Sequence, residues 1–207
     1  CIVAFFLYLG AVDINLLWLF GKSPGFIAIK DAVTSEASEI YSDDGVLIGK
    51  YFNENRTPVK FEDVNPVFWK ALIATEDERF YSHHGIDYKG LASAVKDAVV
   101  HHDARGASTI TQQLAKQLYS ETAKSTMQRA LQKPIEWVIA VKLERNYTKE
   151  EIIALYLNYF DFLHNAVGIK TAANTYFNKE PRDLNIEEAA TLIGLCKNPS
   201  LFTPVRF

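Results

Sequence analysis

The sequence predicts a mainly α-helical domain, with a small β-hairpin at its entrance and a transmembrane helix at its N-terminus. Three observations support this fold class. Residues 1–21 form an almost uncharged run, a turn signal near residue 44 separates two β-prone runs, and helix-capping patterns recur from residue 65 onward. Internal repeats are absent from the sequence. The mostly local, helical signals favour one domain with a short appendage.

The composition is that of a folded protein. Of the 207 residues, 48% are hydrophobic and 23% are charged, which excludes a disordered chain. The net charge of −3 does not indicate a nucleic-acid binder. Cys1 and Cys196 lie at opposite ends of the chain and form no C-x-x-C pair, so a disulfide scaffold or a cysteine zinc site is not expected. The missing initiator methionine and the stop at Phe207 favour a piece of a longer protein.

Residues 1–21 are expected to form a membrane anchor that lacks its start. Asp13 is their single charge, and Trp18 lies near the exit. About 20 apolar residues span a bilayer, and tryptophan favours the interface. A buried core helix is the alternative, favoured by Asp13 and Asn15. Residues 22–35 are expected to be a linker, and residues 36–207 the globular domain.

Local signals predict the remaining elements in order. Asp44-Gly45 between β-prone runs predicts the hairpin. Asn65-Pro66 predicts the start of a helix over 66–76. Further helices are predicted over 109–119 with Ser108 as its cap, over 125–145, from the capping box Thr148-x-x-Glu151 to Asn158, and from Asn185-x-x-Glu188 to about 195.

The charges are unevenly distributed along the chain. Residues 105–149 contain eight basic and three acidic side chains, so this segment carries +5 within an acidic protein. Such a cluster suggests an anionic ligand or anionic lipid headgroups, the alternative being a solvated helix face. Thr109, Gln113 and Lys116 have the spacing of one helix face, which could grip phosphate and sugar hydroxyls. Lys133 and Glu136 are also helical neighbours, although a lone pair of this kind contributes little.

A pair of acids closes the predicted helix over 66–76. Glu76-Asp77 is followed at once by Phe80, Tyr81 and a His83-His84 pair. A carboxylate among apolar residues can act as a general base, whereas the plainer interpretation is a polar loop start. Adjacent histidines are a poor chelate, and no H-E-x-x-H motif is present, so no histidine metal site is predicted. The S-x-x-K at position 93 lacks its K-T-G partner, so serine acyl transfer is not favoured.

Five ordered motifs together resemble family 51 glycosyltransferases, the peptidoglycan glycosyltransferases. The resemblance covers about 39–204. The motifs are Glu76-Asp77-x-x-Phe80-x-x-His83-x-Gly85, Gly106-Ala-Ser-Thr-Ile-Thr-Gln-Gln113, Lys133-x-x-Glu136, Lys149-Glu-Glu-Ile-Ile-Ala-Leu-Tyr-Leu-Asn158, and Glu188-Ala-Ala-x-Leu-Ile-Gly-Leu with Lys197-Asn-Pro-Ser.

The resemblance implies a lysozyme-like helical fold and the polymerisation of lipid II into glycan strands. It also implies a membrane-associated lobe at about 86–105, and a bacterial cytoplasmic membrane location with the catalytic domain on the outer side. The expected partners are lipid II, the growing glycan strand, the membrane, a fused transpeptidase domain and other cell-wall synthesis proteins. No cofactor is required by this interpretation, and a divalent cation (Mg²⁺ or Mn²⁺) at the pyrophosphate is left open.

The same resemblance assigns roles to individual residues. Glu76 matches the family's general base and Glu136 its second acid. Lys133 would stabilise the developing charge of the pyrophosphate leaving group. The substrate-binding candidates are Asp77, Phe80, His83, Ser108, Thr109, Gln112, Gln113, Lys116, Lys124, Arg129 and Lys133.

The chain departs from the family pattern at three places. Gln132 replaces the arginine that usually precedes Lys133, so Arg129 or Lys124 would have to supply the missing charge. Gln117 replaces a common asparagine, and 162–164 lacks a common glycine. The alternative functions are a lysozyme-like hydrolase and an inactive wall-binding scaffold. The retention of Glu76 and Lys116 disfavours the scaffold, and the anchor and lysine-rich segment disfavour the hydrolase.

Overall fold

The computed structural model describes residues 2–15, 38–42, 44, 47–51, 58–100, 106–119 and 126–203. These residues form two compact units. The first unit combines parts of 1–32 with 77–152, and the second combines parts of 33–76 with 153–207. The described residues are mainly helical, as the sequence predicts.

The first unit is built from helices α1 (Ile2–Asp13), α3 (Tyr88–Val100), α4 (Ile110–Tyr119), α5 (Thr126–Asn146) and the start of α6 (Lys149–Tyr159), with a 3₁₀ turn at Phe80–Ser82. Helix α4 packs along α5. The apolar stripe of α4 includes Ile110 and Leu114, which are fully buried. This packing lets α4 and α5 bring the second and third sequence motifs into one unit.

Helix α1 also packs on α5. Leu9 and Val12 are buried in a cluster with Ile86 and Val138, and the Asp13 carboxylate accepts a 2.6 Å hydrogen bond from the Lys142 ammonium. Among the described residues, no helix combines the length and apolar character that a membrane crossing requires. Residues 1 and 16–21 of the predicted anchor and the whole predicted linker lie outside the described residues, so both stay predictions.

Asp87 holds the start of α3. Its Oδ1 accepts hydrogen bonds from the Lys89 and Gly90 amides, each at 3.1 Å, and its Oδ2 accepts from Arg79 Nη2 at 2.6 Å. Burial alone raises the pKa of Asp87. The Arg79 hydrogen bond, the Gly90 amide and the Arg79 charge outweigh burial, so the pKa lies below its ordinary 3.8.

We expect Asp87→Asn to destabilise the protein more at pH 7 than at pH 3. A carboxyl whose folded pKa is lowered stabilises the fold above its unfolded value of 3.8, and this contribution disappears as pH falls through the lowered pKa. Urea unfolding of both proteins at the two pH values measures the difference. Asp183→Asn, at an exposed aspartate, is the control. An Asp87→Asn penalty that is equal at both pH values would contradict the prediction.

The second unit contains α2 (Pro66–Glu76), the rest of α6, α7 (Ile169–Phe177), α8 (Ile186–Lys197) and α9 (Pro199–Phe202), with 3₁₀ turns at Phe61–Asp63 and Pro181–Asp183. Helix α2 packs against α8. Asn158 near the end of α6 exchanges two hydrogen bonds with the Val59 backbone, both at 2.9 Å. The fully buried Tyr156 and Phe68 lie in the core of this unit.

Two short strands precede these helices. Strand β1 (Ser38–Tyr41) pairs antiparallel with β2 (Leu47–Tyr51), and the register shifts between Ile40 and Tyr41. The turn predicted at Asp44-Gly45 falls partly outside the described residues, because Gly45 is not among them. The turn type on which the hairpin prediction depends therefore stays a prediction.

The capping patterns locate three helices correctly. Helix α2 has the predicted bounds, Thr148 and Glu151 exchange both hydrogen bonds of a capping box, and Asn185 and Glu188 do the same. The predicted Ser108 cap is wrong by one residue. Thr109 Oγ1 accepts the Gln112 amide hydrogen bond at 3.2 Å, while the Ser108 hydroxyl accepts one from Lys133.

The segment without the family's glycine adopts a left-handed backbone. Leu163, His164 and Asn165 have φ of 67°, 50° and 61°, a region that costs side chains with a Cβ about 1 kcal/mol or more each. A hydrogen bond from the Tyr176 hydroxyl to the Phe162 carbonyl, at 2.6 Å, ties this turn to α7. The turn is thus formed without glycine at 162–164, with local hydrogen bonds from the Phe162 amide to the Ala166 carbonyl and from the Ala166 amide to the Leu163 carbonyl.

Candidate active site

The third motif forms a polar cluster in the first unit. Lys133 Nζ donates to Glu136 Oε2 at 2.8 Å and to Ser108 Oγ at 3.0 Å. Glu136 is only 6% exposed, whereas 38% of the Lys133 side chain is exposed. A buried carboxylate and a hydroxyl therefore hold an ammonium at a solvent-accessible position. This arrangement suits the binding of an anion from outside.

Asp77 and His83 form a buried pair. His83 Nε2 lies 2.9 and 3.0 Å from the two Asp77 oxygens, and Asp77 Oδ2 also accepts the Ile110 amide hydrogen bond at 3.0 Å. Because the carboxylate is an acceptor here, the ring proton lies on Nε2. His83 Nδ1 is buried and has no hydrogen-bond partner among the described residues. The pair thus fixes the first motif to the beginning of α4.

Several predicted substrate-binding side chains contact the chain itself instead. Thr109 Oγ1 and Gln112 Nε2 both donate to the Gly85 carbonyl, at 2.8 and 3.1 Å, and both residues are nearly fully buried. Phe80 is fully buried and packs edge-on against the His83 ring. The Thr109 hydroxyl and the Gln112 amide group therefore donate their hydrogen bonds within the chain, and the Phe80 ring is not accessible to a ligand. The geometry therefore favours scaffold roles over direct substrate contact for Thr109, Gln112 and Phe80.

Gly85 explains the end of the first motif. Its φ is +87°, and a Cβ at this position would lie 2.9 Å from the carbonyl carbon and oxygen of Ala140 in α5. A side chain would push the loop away from α5 and break the hydrogen bonds to the Gly85 carbonyl. Both the left-handed backbone and the close approach therefore require glycine.

A second ion pair joins Lys149 and Glu144, and the sequence did not predict it. Lys149 Nζ donates to Glu144 Oε1 and to the His83 carbonyl, both at 2.8 Å, and lies 4.2 Å from the centre of the Phe80 ring. Glu144 Oε1 also accepts from the Thr111 hydroxyl at 2.6 Å. The pair connects four segments around the first motif. The Lys149 in the fourth motif was the signal that could have revealed it.

We expect Lys149→Met to lower the free energy of unfolding by about 3–5 kcal/mol, because it leaves the Glu144 carboxylate buried without its cation. Only 3% of the Glu144 side chain is exposed. Lys170→Met is the matched control, since Lys170 pairs with Glu180 at 3.5 Å between exposed side chains and its loss costs about 0–1 kcal/mol. Chemical denaturation measures both variants. Equal effects would refute a structural role for the buried pair.

Glu76 belongs to the second unit, where it is the last residue of α2 and is half-buried. Two buried protic groups lie within the influence of its charge. Burial raises the pKa of Cys196, and the negative charge of Glu76 raises it further. Burial also raises the pKa of Tyr156 well above 10, with smaller contributions from Cys196 and Glu76. Both neighbours therefore stay neutral at physiological pH.

The remaining candidates are more accessible. Lys116 and Arg129 are exposed and Gln113 is half-buried, whereas Lys124 lies outside the described residues. Arg129 precedes Lys133 by one turn of α5, so the two share a helix face. The described residues contain no group of three or more His, Cys, Asp or Glu side chains that could hold a metal ion. Glu136 Oε2 is bonded to the Lys133 ammonium.

Comparisons with known proteins agree with the motifs. A family model described as Transglycosylase matches residues 44–207. The chain is 39% identical over 177 residues to penicillin-binding protein 1F of Bacillus subtilis, covering 85% of this chain and 24% of that protein. It is 38% identical over 200 residues to penicillin-binding protein 1A of Escherichia coli, covering 95% and 23%. The chain thus spans about a quarter of the length of these relatives, and it belongs to the transglycosylase family.

Proposed function

We propose that the chain is a peptidoglycan glycosyltransferase domain that polymerises lipid II into glycan strands. One observation carries the proposal: the Transglycosylase match over 44–207 contains all five motifs, including Glu76, Lys133 and Glu136. The polar cluster at Lys133 supports it, because an ammonium held at an exposed position suits a pyrophosphate-bearing donor. Undecaprenyl pyrophosphate is the proposed leaving group.

In the proposed reaction, Glu76 acts as general base. It removes the proton from the GlcNAc 4-hydroxyl of the acceptor as that oxygen attacks the anomeric carbon of the MurNAc donor. The bond from this carbon to the pyrophosphate oxygen breaks with its electron pair leaving on the pyrophosphate. An α-linked donor gives a β-linked product, so the displacement inverts the anomeric centre and needs no glycosyl-enzyme intermediate.

The charge that develops on the leaving group is stabilised by Lys133, which Glu136 and Ser108 orient. Gln113 and Lys116 are proposed to bind the donor sugar and phosphate. Asp77 and His83 are proposed to shape the acceptor side, with Thr109, Gln112 and Phe80 as their scaffold. No step of this reaction is assigned to a metal ion.

The proposal includes the surroundings of the domain. Residues 1–21 would anchor it in the bacterial cytoplasmic membrane, 22–35 would link the anchor to a lysozyme-like domain, and 86–105 would be a membrane-associated lobe on the outer side. Helix α3, which lies within that range, has no buried residue, and this exposure supports a lobe in contact with lipid. A fused transpeptidase domain and other cell-wall synthesis proteins are proposed partners.

The direct test is incubation of the protein with fluorescent lipid II, followed by gel electrophoresis. The proposal expects a ladder of glycan polymers. Soluble fragments released from finished cell wall, without a ladder, would instead support a lysozyme-like hydrolase. Neither product, from a protein with a native circular dichroism spectrum, would support the inactive scaffold.

Arg129 is the proposed replacement for the arginine that is missing at Gln132, because it is exposed one turn before Lys133. We expect Arg129→Gln to raise KM for lipid II about tenfold or more, the effect of losing one charge-assisted hydrogen bond. Adding Gln132→Arg should recover most of the loss. Initial rates over a range of lipid II concentrations measure both variants. An unchanged KM in Arg129→Gln would assign the missing charge elsewhere, with Lys124 as the next candidate.

A further inference from the structure

The first unit contains a cavity that shares one residue, His83, with the side chains assigned to the proposed reaction. Its volume is about 600 Å³, and its walls come from the loop before α3, the start of α3 and the end of α5. The lining includes Arg79, Ile86, Tyr88, Lys89, Val141 and Arg145. None of the side chains in the Lys133 cluster contributes to its walls, so the cavity is distinct from that cluster.

The cavity wall carries positive charge that is not neutralised locally. Its two acids are already paired, Asp87 with Arg79 and Glu144 with Lys149. Lys89 and Arg145 are exposed and make no ion pair with the described part of the chain. Two cations in the lining of one cavity, Lys89 from α3 and Arg145 from α5, favour a compact anionic group such as a phosphate.

An apolar surface begins at the same cavity. Tyr88 lines it, and Val95 and Val99 follow on the same face of α3 at helical spacing. These side chains are 48%, 56% and 72% exposed, respectively. A soluble phosphate would make no use of such a stripe. An amphiphile could place its charged group in the cavity and its hydrocarbon along α3.

We propose that this cavity binds the headgroup of an anionic phospholipid. Lys89 and Arg145 contact the phosphate, and the acyl chains lie along Tyr88, Val95 and Val99. Charge complementarity selects an anionic lipid over a zwitterionic one, because the ammonium group of a zwitterionic headgroup would add another cation beside Lys89 and Arg145. This binding is separate from the Lys133 cluster and does not depend on the proposed polymerase activity.

The test is isothermal titration calorimetry of the whole chain in a non-ionic detergent. Short-chain phosphatidylglycerol, short-chain phosphatidylcholine and inorganic phosphate are each titrated separately. We expect phosphatidylglycerol to bind at least tenfold more tightly than the other two. The double variant Lys89→Gln/Arg145→Gln should lose at least tenfold in affinity for it. The matched control is Lys60→Gln/Lys96→Gln, which removes two exposed lysines outside the cavity and should bind like the unmodified chain.

Each other outcome overturns the proposal. Equal binding of the two lipids, or no binding, removes the headgroup site. Phosphate binding as tightly as phosphatidylglycerol makes the cavity a site for a free anion. An equal loss in the control variant shows attraction by general positive charge. A double variant that also loses lipid II polymerisation in lipid-free detergent would place the cavity in the substrate site, whereas failure of the unmodified chain to polymerise would refute only the proposed function.

Discussion

Glu76→Gln is expected to reduce the rate of lipid II polymerisation by about 10²–10⁴-fold, the usual contribution of a general base. The amide has nearly the same size as the carboxylate, so it preserves the packing at the end of α2 but cannot accept the acceptor's proton. Glu76 is half-buried, beside groups that stay neutral at physiological pH, and it is the group there that can take up a proton. Initial rates from gel ladders of fluorescent lipid II measure the loss.

Glu78→Gln is the matched control, because Glu78 is an exposed glutamate two residues further along and occupies a position that the first motif leaves unspecified. It should polymerise at close to the unmodified rate. Thermal unfolding of both variants establishes that they are folded. Full activity in Glu76→Gln would remove Glu76 as the base, and an equal loss in Glu78→Gln would point to the charge of the whole segment.

Helix positions were predictable where the determining contacts are local. The capping boxes at Thr148 and Asn185 each join residues three positions apart, so the sequence alone is sufficient to predict where these helices begin. Helix α7 was missed because Gly168 precedes it with a φ of +82° and no side chain caps it. The N-cap of α4 is Thr109 rather than Ser108 because residues distant in sequence fix the start of this helix. The Asp77 carboxylate accepts a hydrogen bond from the Ile110 amide, and the Gly85 carbonyl accepts one from the Thr109 hydroxyl.

The candidate site was predictable as a set of residues but not as a set of contacts. Motif spacing identifies Lys133 and Glu136 as neighbours, and the structure places them 2.8 Å apart. The sequence treats Thr109 and Gln113 alike, as members of one face, yet only Thr109 is buried against Gly85. In the sequence, Glu144 was counted only as one of the three acidic side chains of the basic segment 105–149. Its pairing with Lys149 depends on the packing of α5 beside the first motif, which no spacing rule reveals.

Lys133→Gln is expected to reduce polymerisation by about 10²–10³-fold, because it removes the charge that stabilises the pyrophosphate leaving group. It also leaves the Glu136 carboxylate, 6% exposed, without the ammonium to which it is bonded. Lost stability could therefore imitate lost catalysis. Lys142→Gln, which removes an ion-paired lysine further along α5, controls for the loss of a paired charge on this helix.

A double variant separates the two effects. Lys133→Gln/Glu136→Gln replaces the ion pair with two neutral amides that can hydrogen-bond each other, so its stability should recover relative to Lys133→Gln. Its polymerisation rate should stay low, because the stabilising charge is still absent. Unfolding midpoints and initial rates, measured on the same preparations, distinguish the two. Recovery of activity along with stability would mean that Lys133 serves the fold rather than the leaving group, and the proposed electrostatic role would then be wrong.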